Sequence, residues 1–450
     1  MQLPHFWPDV FTVVLTGLLC SMMPSSLVLG ATEYYVSTNG NDTHDGSVAK
    51  PWRSIQKAAD SATPGSTVRV LAGKYPEQVV VRVSGNATQG KIIFQGEKGT
   101  ILDFASSPIT TGERGAFQID SRSYIRISGF EIRNYVAKVA GATPIGICIR
   151  GACRDIEISG NLIHHITNNI NANSNAHGIA VFGTGRTEAA AIRNLLISNN
   201  ELHTLKLGAS EAVVVNGNVN GFTIDGNNVH DCNNIAIDAI GFEGTSIAPF
   251  DQARNGTISN NTVTRIDSRG NPAYGNDRSA DGIYIDGGHS ITINKNTVSL
   301  CNIGIEVTSE HRQKFASEIT ITNNIVTRCH TVGLSFGGYD RLRGGTRNCI
   351  VKDNTFRGND TDNNGSGEFQ LQYLVQNNTV KNNVFSATSQ NILISNAFTT
   401  TSGNTFDLNT YFAPGGSANS IWVWKNREYS GFAVYQQATK NDLNSRFGRP

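Results

Sequence analysis

An asparagine that returns every 27 to 39 residues constrains this chain more than any other feature. From about residue 120 onward one short pattern recurs: an alternating apolar pair, two polar or small residues, an asparagine, then another apolar residue two places on. It reads IEISGNLI, LLISNNEL, FTIDGNNV, GTISNNTV, ITINKNTV, ITITNNIV, CIVKDNTF and NTVKNNVF. The repeated residues are Asn161, Asn200, Asn227, Asn261, Asn296, Asn324, Asn354 and Asn383. A helical repeat of fixed length does not tolerate such uneven spacing, whereas stacked coils with loops of variable length do. Alternating β-branched residues point to strands, and the asparagine marks a sharp bend between them.

A second strand recurs once per repeat, usually after a glycine: GIAVFG, AVVVNG, AIDAIG, GIYIDG, GIEVTS and GLSFGG. Each coil therefore supplies at least two short strands, and only stacking buries their apolar faces. Equivalent asparagines, one above another, can pass amide hydrogen bonds from coil to coil. This explains a composition of 47 asparagines and 46 glycines in 450 residues, which disfavours both a helical bundle and a doubly wound α/β fold. One solenoid can absorb the whole length. A net charge of +1 with 16% charged residues argues against a basic nucleic-acid-binding surface. The 38% hydrophobic content is enough for a core.

Residues 10–23 (VFTVVLTGLLCSMM) are apolar, too short to span a bilayer comfortably, and followed by small residues. They read as part of a signal peptide over residues 1–31, which predicts a secreted protein with no membrane segment once the leader is removed. Sequons at Asn41, Asn86, Asn255, Asn260, Asn359, Asn364 and Asn377 are compatible with a glycoprotein.

The opening of the mature chain, YYVSTNGNDTHDGSVAKPWRSIQKAADSATPGSTVRVLAGKYPEQVVV, together with the asparagine repeat, resembles the pectate-lyase-like superfamily. Its entry segment is similar to those of pectate-lyase family 9 and chondroitinase-B-like proteins. The resemblance implies an all-β fold, a single-stranded right-handed parallel β-helix, over residues 32–412. Residues 52–62 (WRSIQKAADSA) have helical spacing and are read as an N-terminal cap, and residues 413–450 as a segment packing on or closing the solenoid. The superfamily hosts lyases, hydrolases, epimerases and adhesins, so the fold alone selects no activity.

Strand alternation aligns the post-glycine strands. With Ile179, Val213, Ile237, Ile283, Ile305 and Leu334 inward, one outward column is Ala180, Val214, Asp238, Tyr284, Glu306 and Ser335. A second is Phe182, Asn216, Ile240, Asp286, Thr308 and Gly337, and His177, Glu211 and Asp281 precede the strands. Carboxylates thus gather on three successive coils beneath the long loops 242–256, 266–280 and 338–348, which are read as the walls of a groove. Asp238, Asp286 and Glu306 are the catalytic candidates. Tyr284, Asn216, His177, Glu310, His311 and Arg341 are the substrate-binding candidates.

Two carboxyls separated by one or two coils suit glycoside cleavage, in which one donates a proton and the other activates water. The leading reading is a monomeric glycoside hydrolase acting on a poly- or oligosaccharide, with no cofactor required. The resemblance also implies a calcium-dependent uronate lyase. Family 9 lyases bind calcium on a carboxylate-rich strand and present a lysine on the next coil. Residues 280–286 (ADGIYID) resemble that strand, with Asp238, Asp281 and Asp286 as calcium candidates, but Glu306 stands where the lysine is expected. A non-catalytic glycan-binding protein is the third reading.

His164, His203 and His230 each follow a ladder asparagine by three residues, and Cys232, Cys301 and Cys329 each follow one by five. Both columns are read as stacked structural groups, with a histidine metal site and a Cys301–Cys329 bridge as the less favoured alternatives. Cys148 and Cys153 are the better candidates for a disulfide in an oxidising compartment.

Overall fold

The computed structural model describes residues 32–107, 109 and 111–449. The expected signal peptide, residues 1–31, lies outside the described residues. From Glu33 the chain winds through short strands that line up into three long sheets. Among the described strands every pairing is parallel except that of Ile421–Trp424 with Arg427–Ser430. The first sheet carries strands such as Arg154–Ser159, just before the ladder asparagines. The third carries those just after them, such as Leu162–His164. The second, from Val79–Val81 to Ile421–Trp424, carries the post-glycine strands. The chain is a right-handed parallel β-helix.

The asparagines form a continuous ladder at the corner between the first and third sheets. Asn227 shows the geometry: its Nδ2 donates to Asn261 Oδ1 (3.0 Å) and to the Ile197 carbonyl (3.0 Å), while its backbone N–H donates to the same Asn261 oxygen (2.9 Å). The buried amide thus meets the backbone's hydrogen-bonding demand at a corner where no regular ladder does. The residue before each ladder asparagine is in the left-handed region: Gly160, Asn199, Gly226, Asn260, Lys295, Asn323, Asp353 and Asn382, with φ from 53° to 66°. Glycine and asparagine tolerate that region best, which is why the motif reads SGN, SNN, DGN or KNN. A ninth rung, Asn409, receives Asn383 Nδ2 (3.1 Å) and in turn donates to Asp442 Oδ1 (3.0 Å). It lies beyond the eight repeats read from the sequence, and Leu408 holds the left-handed position before it (φ 58°).

Both ends of the stack are covered. The helix Ile55–Ser61, capped by Ser54, buries Ile55, Ala58 and Ala59 in the core beside the first coils. At the other end Ile421–Trp424 adds a parallel strand to Ile392–Asn396, and fully buried Trp422 stacks on Tyr435 of the helix Phe432–Thr439 (5.1 Å). Strand edges left open there would template pairing with another chain.

The expected Cys148–Cys153 bridge does not form: all six cysteines of the described residues are free. Cys153 belongs to the main core, whereas Cys148 packs with Ile145, Ala180, Val214 and Ile240 in a separate cluster. Alternation along the strand sends the Cys148 side chain outward, so the two thiols lie on opposite faces of the coil wall. Cys232, Cys301 and Cys329 are interior and unbridged. His164, His203 and His230 are paired in register and stack flat at 4.9 and 5.1 Å. Glu131 and Glu201 accept from His164 and His230. The sequon at Asn359 is buried and bonded to Glu368.

Candidate active site

The outward columns of the second sheet are in the register that strand alternation predicts. Ala180 pairs with Val214, Val214 with Asp238, Asp238 with Tyr284, Tyr284 with Glu306, and Glu306 with Ser335. In the second column Phe182 pairs with Asn216 and Asp286 with Thr308. The first column therefore runs from an apolar stretch, Cys148–Ala180–Val214, straight into Asp238, Tyr284 and Glu306. A pocket floor that changes from apolar to acidic over one coil suits a ligand with both apolar faces and polar edges.

Seven carboxyl groups meet around this point: Glu211, Asp238, Glu243, Asp281, Asp286, Glu306 and Glu310. The charges of neighbouring acids add to burial in raising Glu211, Asp238, Asp281, Asp286 and Glu306. Among the described residues none of them pairs with a lysine or arginine within 4 Å. Asp238 and Asp281 are at most 2% exposed, and one oxygen of each has no hydrogen-bond partner. Burial first, and then Glu211, Asp286, Asp281 and Glu243, hold the Asp238 carboxyl well above the usual carboxylate range. Burial also raises Asp281, helped by the Glu306 charge beside it. Glu306 is pushed up to about 7 by burial, while Ser335, whose hydroxyl donates to it (2.9 Å), pulls the other way. Asp286 is raised by burial and Glu310, although its Oδ1 accepts the Glu310 N–H at 2.7 Å.

Beside the acids lies a cavity of about 230 Å³ lined by His177, Asn216, Glu211, Glu243, Ile240 and Phe182, among others. His177 Nδ1 faces the Glu211 carbonyl (3.1 Å) and carboxylate (3.5 Å). Burial pushes the His177 imidazole down to about 4 and the Glu211 carboxyl up to about 8, with Glu243 adding to the latter. Burial thus favours the neutral form of each. Asn216 Nδ2 donates to Glu243 Oε2 (3.0 Å). A larger cavity, about 740 Å³, continues along the same sheet toward the N-terminal coils and shares Glu113 with the first. It holds Arg114 and Arg150 but none of the seven acids, whereas Glu211 and Glu243 line the smaller one.

Three candidates differ from the sequence reading. Tyr284 is 5% exposed, so it separates Asp238 from Glu306 as a packed ring rather than offering an open stacking face. Arg341 is exposed on the loop after Val332–Phe336, and no hydrogen bond or ion pair to the acids involves it among the described residues. Asp238, Asp281 and Asp286 do not converge as one ligand set. The set whose ligand atoms lie within 4.8 Å of one another is Glu243, Asp286 and His311. Calcium takes six to eight oxygens, and a set containing an imidazole does not fit it. The sequence reading missed Glu243 because it lies in a loop, outside the strand periodicity. It aligned Glu211 but left it out of the site, although its place beside His177 one coil away was the available signal.

Residues 34–203 match a family model described as Pel9A-like, right handed beta helix region, and residues 279–433 one described as right handed beta helix region. The protein YwoF of Bacillus subtilis (strain 168), itself uncharacterized, is 42% identical over 425 residues, 94% of this chain and 89% of that protein. The chain belongs to the pectate-lyase-like β-helix family. Within it, pectate lyase PEL9 of Emericella nidulans is 29% identical over 117 residues, covering 23% of this chain and 28% of that one. Among solved structures, the GH136 lacto-N-biosidase from Eubacterium ramulus is similar with a TM-score of 0.52 at 13% identity. The match covers 92% of this chain and 66% of that protein, just under two thirds of its length. That likeness is one of fold, a parallel β-helix. Among the described residues no helix is long and apolar enough to cross a membrane.

Proposed function

We propose that this β-helix protein is a secreted enzyme that hydrolyses a glycosidic bond in a poly- or oligosaccharide with carboxyl groups of its acid cluster. The observation that carries the reading is the contrast between two carboxyls of one outward column: Asp238 is held well above the usual carboxylate range, and Glu306 is pushed up only to about 7. Such a pair keeps a proton available near neutral pH, which is what a general acid requires. Asp238 stands two rungs from Glu306, a backbone separation of roughly 10 Å at ~4.8 Å per rung. That separation is close to the ~6.5–9.5 Å range that leaves room for a water. Asp238, held protonated by its surroundings, donates its proton to the leaving oxygen as the glycosidic C–O bond breaks. Water adds to the anomeric carbon, and Glu306, the less raised of the two, takes the water's proton. The lack of a paired lysine or arginine in the cluster weighs against a lyase base.

The experiment is incubation of the full chain with a polysaccharide panel, reading new reducing ends and the absorbance of unsaturated uronates separately. Reducing ends without unsaturated product support hydrolysis. Unsaturated product in proportion to the ends makes the protein a lyase and overturns the reading.

A further inference from the structure

We infer that Glu243, Asp286 and His311 bind a divalent cation of the imidazole-accepting class, such as zinc, and not calcium. The three residues come from three consecutive coils: the loop after Ile237–Ile240, the end of Asp281–Asp286, and the loop after Ile303–Thr308. One imidazole nitrogen and two carboxylate oxygens converge within 4.8 Å. Three protein ligands with a further position open is the arrangement of reactive zinc sites, and nitrogen–oxygen donor sets favour such metals over calcium.

Two independent observations point to a cation here. The His311 Nε2 atom is buried without a hydrogen-bond partner, and so are Oδ1 of Asp238 and Oδ1 of Asp281 nearby. Buried polar atoms normally have partners, and buried charges are normally paired or coordinated. No lysine or arginine lies within 4 Å of the seven acids among the described residues, so no cationic side chain occupies the place a metal ion would take. The ligands are also held from behind, as metal ligands usually are. Asn216, 4% exposed, donates to Glu243 at 3.0 Å, and the Glu310 N–H donates to Asp286 at 2.7 Å. Ligand atoms ~2.0–2.2 Å from zinc must approach one another more closely than 4.8 Å. Glu243, exposed and on a loop, has the freedom to close that gap.

This site shares the cleft of the proposed hydrolysis but does not depend on it. The test is titration of metal-stripped full-length protein with zinc and with calcium by calorimetry, and with cobalt by visible absorption. Zinc binding at one site at least tenfold tighter than calcium, with a cobalt spectrum showing nitrogen ligation, is the expected result. His311→Ala and Glu243→Gln should each weaken zinc at least tenfold and alter that spectrum, while Glu306→Gln should leave both intact even if it abolishes hydrolysis. Calcium bound more tightly than zinc, no zinc binding, or zinc binding indifferent to His311→Ala in a folded variant overturns the inference.

Discussion

Asp281 and Glu306 lie on successive strands of the second sheet, close enough that the Glu306 charge adds to burial in raising the Asp281 carboxyl. Two buried carboxyls this close cannot both ionise without strong repulsion, so they titrate as a unit with one proton between them. With Glu306 as the group that takes the proton from water, Glu306→Gln should lower kcat/KM by about 10²–10⁴-fold. The amide is isosteric and uncharged, so Tm should hold or rise. Loss of activity together with loss of fold would mean that Glu306 is structural.

Stability should fall as pH rises from about 6.5 to 8. Glu211 and Glu306 have folded pKa values raised to about 8 and about 7, against ~4.3 for an unperturbed glutamate. Over that window the folded chain holds protons that the unfolded chain has released, so raising the pH favours unfolding. His177 acts in the opposite sense, but only below its ordinary value, since burial lowers it to about 4. Above pH 6.5 the carboxyls are therefore unopposed. Thermal scans across the window should show a falling Tm, with a shallower slope in the Glu211→Gln variant.

Much of this architecture was legible because strand alternation and the ladder asparagines both have fixed periods. One residue of misregister would have turned Asp238 and Glu306 into the core, and the pairing of Asp238 with Tyr284 and Tyr284 with Glu306 shows no such slip. The legible part of the site is the part built on strands. Glu243 and His311 lie in loops whose paths no period sets, and Arg341 was misplaced for the same reason. The disulfide reading failed on a different point. Cys148 and Cys153 are five residues apart, and nearness in sequence took no account of the coil wall between their side chains.

Free thiols give a direct check on that correction. Alkylation of the denatured, unreduced mature protein should label all of Cys148, Cys153, Cys232, Cys301, Cys329 and Cys349, as read by intact mass. The folded protein should label slowly at every one of them, because all six are buried and burial protects thiols from reagents. A mass two hydrogens low, with two cysteines unlabelled, would mean that a bridge forms.

Leu408 occupies the left-handed position before the last ladder asparagine, at φ 58° and with the residue 52% exposed. A residue with a Cβ carries a cost of roughly 1–2 kcal/mol there, and asparagine relieves part of it. Four of the eight earlier rungs have asparagine at this position. Because so much of Leu408 faces solvent, little packing is lost on replacing it. Leu408→Asn should therefore stabilise the protein by about 1 kcal/mol, seen as a higher urea midpoint at unchanged slope. The reciprocal Asn199→Leu should lower the midpoint by a comparable amount. A lower midpoint for Leu408→Asn would show that the leucine's contacts with the C-terminal cap outweigh its backbone strain.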